Sequence, residues 1–105
     1  MFNEDIVRKV VYDTIPANLI EYVIVFGSRA RNEGTGDSDT DICIILKRDL
    51  PRGDIKRFRI ALNKIFAFDY GMATDIVIKS SYAYNRYKGV IGALEYNIAN
   101  EGVRL

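Results

Sequence analysis

Residues 22–46 read YVIVFGSRARNEGTGDSDTDICIIL, and this stretch decides the fold. An apolar run rich in β-branched residues stands at each end, and Gly27 closes the first run. Short apolar runs of this kind are typical of buried strands. The polar, glycine-containing segment between them predicts a loop that opens with a brief helical turn over residues 28–31. We therefore predict two strands, over residues 22–26 and 41–46, joined by this loop.

Two aspartates, Asp39 and Asp41, stand where the second strand begins. Residues two apart on a strand share a face, and neighbouring carboxylates repel each other unless a cation neutralises them. Oxygen ligands favour magnesium or manganese over zinc. Upstream, the Gly27-Ser28 pair follows a buried strand, where the backbone can approach a phosphate closely. Together these features point to phosphoryl or nucleotidyl transfer, whereas the aspartates alone would more often indicate a polar turn.

Outside this stretch, three helical regions are predicted. Asn3 caps a first helix that ends before Pro16. An amphipathic pattern predicts a second helix over residues 54–68, capped by Asp54 and ended by Gly71. The chain is helical again from Ser80, with a break over residues 89–92.

Two further strands complete the prediction. Residues 74–78 form a third strand with Asp75 near its start, and residues 103–105 form a short edge strand or a frayed end. The order αβαβαβα predicts one α/β (α+β) domain over residues 1–105, with a short mixed sheet flanked by helices. For Gly27 and the three aspartates to meet, the first strand must run antiparallel to two parallel strands joined by the amphipathic helix. We expect the helices on one face of the sheet.

Composition excludes several kinds of chemistry. The chain has 105 residues, with 15 basic and 14 acidic side chains and a net charge of +1, so it has no global field for nucleic acid or membrane. It has no histidine, which excludes histidine catalysis and histidine-ligated zinc. The single cysteine, Cys43, excludes an intrachain disulfide and fits a reducing compartment. Without a signal-peptide pattern or a long apolar run, we expect a soluble, cytoplasmic protein.

The pattern Gly27-Ser28, ten residues, then Asp39-x-Asp41 resembles the signature of the minimal nucleotidyltransferases of the DNA polymerase β superfamily. The resemblance covers nearly the whole chain and implies the single-domain nucleotidyltransferase fold. It also implies the site residues by position. Three acids would be catalytic and hold two Mg²⁺ ions, and three further residues would bind the nucleotide: Asp39, Asp41 and Asp75, and Gly27, Ser28 and Ser38.

The resemblance also implies an activity and a partner. The expected reaction is Mg²⁺-dependent transfer of a nucleotide, AMP from ATP, to an acceptor hydroxyl. Members of this size resemble the antitoxin of a toxin–antitoxin pair whose toxin is a small helical HEPN-type ribonuclease. The alternative is a binding module of the same fold that neutralises its partner by contact alone. The acceptor, the base preference and homo-oligomerisation are left open.

Two uneven distributions have more than one interpretation. Residues 47–64 hold seven basic and two acidic side chains. They could bind a nucleoside triphosphate, nucleic acid or an acidic partner, but we favour a solvated helix face and do not expect direct nucleic-acid binding. Four of the seven tyrosines lie between residues 82 and 96. This enrichment suits either a protein–protein surface or a helix packed on its own sheet.

Overall fold

The computed structural model describes residues 3–27 and 39–105. In these residues a four-stranded mixed sheet forms the centre of the molecule. Its strands in chain order are β1 (Ile20–Phe26), β2 (Thr40–Leu46), β3 (Thr74–Ser80) and β4 (Val103–Arg104). The spatial order is β3-β2-β1-β4. As predicted, β1 is antiparallel to β2, and β2 is parallel to β3. The chain end forms the predicted edge strand, since β4 pairs antiparallel with β1.

Four α-helices accompany the sheet in the described residues. They are α1 (Glu4–Thr14), α2 (Arg52–Tyr70), α3 (Ser81–Tyr87) and α4 (Leu94–Glu101), with a 3₁₀ turn over Ala17–Leu19. The predicted break over residues 89–92 separates α3 from α4. The predicted helical turn over residues 28–31 lies outside the described residues.

Helix ends follow local chemistry, with one correction. The Asn3 side chain accepts hydrogen bonds from the backbone N–H groups of Asp5 and Ile6, which confirms it as the cap of α1. The prediction that Asp54 caps α2 is wrong, because the helix begins at Arg52 after Pro51. Proline has no N–H to satisfy and its fixed φ suits a helix start. An aspartate in the first turn is still favoured by the helix dipole.

Helices cover both faces of the sheet, so the expectation of one covered face is wrong. One cluster of buried side chains joins alternate residues of β1 and β2 to α1 and α2. The other alternate residues pack against Tyr84 of α3 and Ile98 of α4. The reason is visible in β2, where residues 42–46 are all buried. A strand that is apolar on both faces needs a cover on each.

The starts of β2 and β3 are held together at one edge of the sheet. The backbone N–H of Thr40 donates to the carbonyl of Ala73 at 2.9 Å. The hydroxyl of Thr74 donates to the side-chain oxygen of Asn63 on α2 at 2.8 Å. Gly71 ends α2 in the left-handed conformation, as predicted, and turns the chain into β3. Four of the predicted site residues, Gly27, Asp39, Asp41 and Asp75, lie at this edge.

No helix in residues 3–27 and 39–105 is both long enough and apolar enough to span a bilayer.

Cys43 provides a test of the second buried cluster. The side chain is fully buried, and burial raises the pKa of the thiol to about 12. Because the thiolate is the reactive form, we expect the native protein at pH 8 to react with a thiol reagent about 10³-fold more slowly than the unfolded protein. Absorbance with an aromatic disulfide reagent, with and without denaturant, measures both rates. Fast labelling of the native protein would contradict the packing of Cys43.

Candidate active site

Three chain segments meet at the edge where β2 and β3 begin. In the sheet register Phe26 is opposite Asp41, and Asp41 is opposite Asp75. Neighbouring strands are about 4.8 Å apart, and residues paired in register project from the same face. The end of β1 and the starts of β2 and β3 therefore bring Gly27, Asp41 and Asp75 together. Both carboxylates belong to the face covered by α3 and α4, because Asp41 alternates with Cys43 of that cluster.

Asp39 completes the acidic group from outside the strand. It is exposed and lies one residue before β2 begins. Its charge reaches Asp41, whose pKa it raises. The predicted nucleotide-binding residues Ser28 and Ser38 lie outside the described residues.

The pKa of Asp41 is raised by its surroundings. The side chain is partly buried, and this burial is the main reason that its pKa lies above the ordinary value. The charges of Asp75 and Asp39 raise the pKa further. Negative charge is thus concentrated at this sheet edge. Perturbed carboxylates of this kind are typical of functional sites.

Gly27 lies directly against the Asp41 carboxylate. Its φ is +76°, a left-handed conformation that glycine adopts without strain. A Cβ atom at this position would collide with Oδ2 of Asp41 and would lie 3.2 Å from its Cγ. The missing side chain thus makes room for the carboxylate at the end of β1. This contact places Gly27 beside Asp41, and therefore beside the other carboxylates of the site.

The donor chemistry at this edge fits a hard divalent cation. Asp39, Asp41 and Asp75 offer only carboxylate oxygens, and a cation would neutralise the charge that raises the pKa of Asp41. As placed in the described ranges, no three acidic, cysteine or histidine side chains are gathered closely enough to form a ready-made metal-binding group. The three acids therefore lie at one edge of the sheet and interact electrostatically, but they do not form a preorganised metal site.

The basic segment lies elsewhere. Arg52, Ile55, Lys56 and Arg59 line a surface groove of about 310 Å³ on the first half of α2. This half follows the end of β2, whereas Asp41 stands at the start of that strand. Seven strand residues span about 20 Å. The groove therefore begins at the opposite edge of the sheet from the acids, which disfavours its use as the triphosphate site.

Removing the Asp41 charge should stabilise the protein in the absence of cations. Because folding raises the pKa of Asp41, the ionised group opposes folding at all pH values above its raised pKa. This opposition disappears as the pH falls below the ordinary value for aspartate. We expect Asp41→Asn to raise the melting temperature at pH 7 in chelator, and to raise it less at pH 4.

Asp39→Asn is the matched control, since Asp39 is exposed. Thermal melts followed by circular dichroism at both pH values compare the two variants. A larger gain for Asp39→Asn than for Asp41→Asn would contradict this account of the electrostatics.

Solved structures share this fold. A toxin–antitoxin complex with AMP-PNP contains a chain that superposes with a TM-score of 0.70, is 19% identical, and is matched over 98% of the present chain and 72% of its own length. A protein assigned as a minimal nucleotidyltransferase superposes with a TM-score of 0.55 and is 24% identical. The match covers 96% of the present chain and 87% of that protein. A third match is a chain in the complex of a tri-AMPylated Shewanella oneidensis HEPN toxin with an MNT antitoxin. It superposes with a TM-score of 0.59 and is 18% identical, over 96% of the present chain and 66% of its own length.

Sequence comparison identifies the family directly. A search of curated proteins gave no match. The model of the nucleotidyltransferase domain matches residues 6–96, which include all three aspartates and Gly27. This match covers most of the 105 residues, and the shared fold agrees with it. The chain therefore belongs to the nucleotidyltransferase domain family.

Proposed function

We propose that this protein is a Mg²⁺-dependent nucleotidyltransferase that transfers AMP from ATP to a hydroxyl of a partner protein, as the antitoxin of a toxin–antitoxin pair. The observation that carries the proposal is the meeting of Gly27, Asp41 and Asp75 at one sheet edge. This edge offers both a close backbone approach for phosphates and carboxylates for a cation. Nucleotidyl transfer requires both.

Each residue has a distinct role in this proposal. Gly27 leaves its backbone accessible, and with Ser28 and Ser38 it binds the triphosphate. Asp39 and Asp41 hold Mg²⁺, and Asp75 shares this task. When bound, the ions would neutralise phosphate charge and lower the barrier to attack at phosphorus. Asp75, exposed at the start of β3, orients the acceptor hydroxyl and accepts its proton.

The proposed reaction is a single displacement at the α-phosphorus of ATP. The acceptor oxygen forms a bond to the α-phosphorus, and the bond from that phosphorus to the bridging oxygen of the β-phosphate breaks. Pyrophosphate leaves, and the hydroxyl proton passes to Asp75 and then to solvent. No histidine takes part, in agreement with a chain that has none.

Solved relatives of the fold support the choice of nucleotide and partner. One toxin–antitoxin complex contains AMP-PNP, an ATP analogue. In another complex the HEPN toxin carries three AMP groups beside an MNT antitoxin. The same chemistry in this chain would take ATP as substrate and a HEPN-type helical protein as acceptor.

Intact-mass spectrometry tests the proposal. The purified chain is incubated with ATP, Mg²⁺ and a candidate partner, the product of the gene next to its own. We expect the partner to gain one or more AMP units, and to gain none when Mg²⁺ is replaced by chelator. A partner that is neutralised without gaining mass would instead support the second candidate function, neutralisation by contact. The exposed apolar side chains around Ile91 favour that candidate.

A further inference from the structure

The turn between α3 and α4 displays apolar side chains to solvent. Ile91 is 83% exposed and Val90 is 49% exposed. The turn is nevertheless held by backbone hydrogen bonds, from Val90 N–H to the carbonyl of Tyr87 at 2.9 Å and from Ala93 N–H to the carbonyl of Val90 at 3.0 Å. A fixed turn that presents a large aliphatic side chain resembles the preorganised anchor of a protein interface.

Further exposed apolar side chains extend this surface onto both helices. The surface, which we term the α3–α4 patch, consists of Tyr82, Tyr87, Val90, Ile91 and Leu94. Aromatic residues and arginine are the types enriched at interface cores. Tyr84, by contrast, is buried against the sheet and makes an edge-to-face contact with Tyr22. The tyrosines between residues 82 and 96 thus include a ring in the core, Tyr84, and exposed rings at the surface, Tyr82 and Tyr87.

Basic side chains are fixed beside the patch. The Arg86 guanidinium donates to the hydroxyl of Tyr82 at 3.1 Å and lies 5.6 Å from the ring centre of Tyr87. The Lys88 ammonium lies 6.0 Å from the ring centre of Tyr84. The contacts of Arg86 place its charge within the patch, and Lys88 follows Tyr87 directly in the chain.

The charge of this region has one sign. Between Asp75 and Glu95 the sequence contains Lys79, Arg86 and Lys88 but no acidic residue. Glu95 is buried and forms an ion pair with Lys79 at 3.9 Å, so Arg86 and Lys88 provide the positive charge beside the patch. An apolar surface with a positive border is complementary to an apolar surface with a negative border.

We propose that the α3–α4 patch docks the partner protein, seating Ile91 in an apolar depression bordered by carboxylates. This inference rests on the proposed function for the existence of a partner, and adds where the partner binds. The patch includes none of the residues assigned to nucleotide transfer, since Asp75 lies at the beginning of β3 and the patch belongs to α3, α4 and the turn between them.

Calorimetric titration with the same candidate partner, the product of the neighbouring gene, tests the docking surface. We expect Ile91→Asp to weaken binding at least tenfold, because it places a carboxylate where an apolar anchor and a negative border meet. Lys88→Glu should slow association and reduce its salt dependence. The matched control is Phe68→Asp on α2, because Phe68 is 84% exposed, as Ile91 is, but lies outside the patch.

The outcomes separate the two proposals. If Ile91→Asp binds less tightly while Phe68→Asp binds normally, and AMP transfer by Ile91→Asp recovers at high partner concentration, the patch is the docking surface. If wild type and Ile91→Asp bind equally, or both variants weaken equally, the docking proposal is wrong and the nucleotidyltransferase proposal stands. A wild-type chain that neither binds nor modifies the partner overturns both. Loss of a homodimer in Ile91→Asp, with partner binding unchanged, would assign the patch to self-association and overturn docking.

Discussion

Asp75→Asn is expected to retain ATP binding but to slow AMP transfer by about 10³-fold or more. Under the proposed roles, the triphosphate depends on Gly27 and on the ion held by Asp39 and Asp41, whereas activation of the acceptor depends on Asp75. The substitution keeps the shape of the side chain and removes its charge and basicity. Because Asp75 is exposed at a strand start, the fold should survive. Rates from intact-mass spectrometry and ATP affinity from calorimetry give the two readouts.

Asp69→Asn is a suitable control for this experiment. Asp69 is also an exposed aspartate, but it belongs to the last turn of α2, so the control makes the same charge change outside β3. It should transfer AMP at the wild-type rate. Equal transfer by the Asp75 and Asp69 variants would remove Asp75 from the chemistry. Equal neutralisation of the partner by wild type and Asp75→Asn, with no gain in mass, would favour the binding-module alternative.

Gly27→Ala should have the second large effect, a loss of about 10²-fold or more in AMP transfer. Alanine strains the left-handed backbone, and its Cβ displaces the Asp41 carboxylate. A displacement of about 1 Å in a positioned group can cost this much in rate. Gly71→Ala is the matched control, since Gly71 has a φ of +64° and open space around a Cβ. Both variants should lose about 1–2 kcal/mol to backbone strain, but only Gly27→Ala should lose transfer.

A double-mutant cycle isolates the contact itself. In an Asp41→Ala background the colliding oxygen is absent, so Gly27→Ala should destabilise the protein only as much as Gly71→Ala does. In the wild-type background the same substitution should cost about 1–3 kcal/mol more, the usual cost of overpacking. Denaturant unfolding measures all of these free energies. The same cost in both backgrounds would show that Gly27 and Asp41 do not interact.

Local signals in the sequence were sufficient for most of the fold. The apolar runs predicted β1 and β2, and the need to bring Gly27 and the aspartates together predicted the direction of each strand. Asn3 and Gly71 mark helix ends because their chemistry is local. The prediction of Asp54 as the cap of α2 was wrong because aspartate is favoured in the first turn of a helix as well as at the cap.

Features that depend on tertiary packing were not accessible in this way. The cover on the second face of the sheet depends on where α3 and α4 fold back, and no local pattern encodes that path. Likewise, the sequence places Gly27 and Asp41 at the two ends of one predicted loop, but their contact depends on strand register. The exposure of Ile91 could not be predicted, because an isoleucine is more often buried. The glycines on either side of residues 90–91 indicated only the turn.

The parallel pairing of β2 with β3 also determines when the acidic edge forms during folding. Asp41 and Asp75 are 34 positions apart (75 − 41) and are brought side by side only through the α2 crossover. Contacts of such sequence separation form after local ones, because loop closure must first be offset. The hairpin-like pairing of β1 with β2 can thus precede the electrostatic repulsion between the two carboxylates. The repulsion therefore arises as β3 joins the sheet, in the same step that buries Ile76 and Ile78, and this burial offsets it.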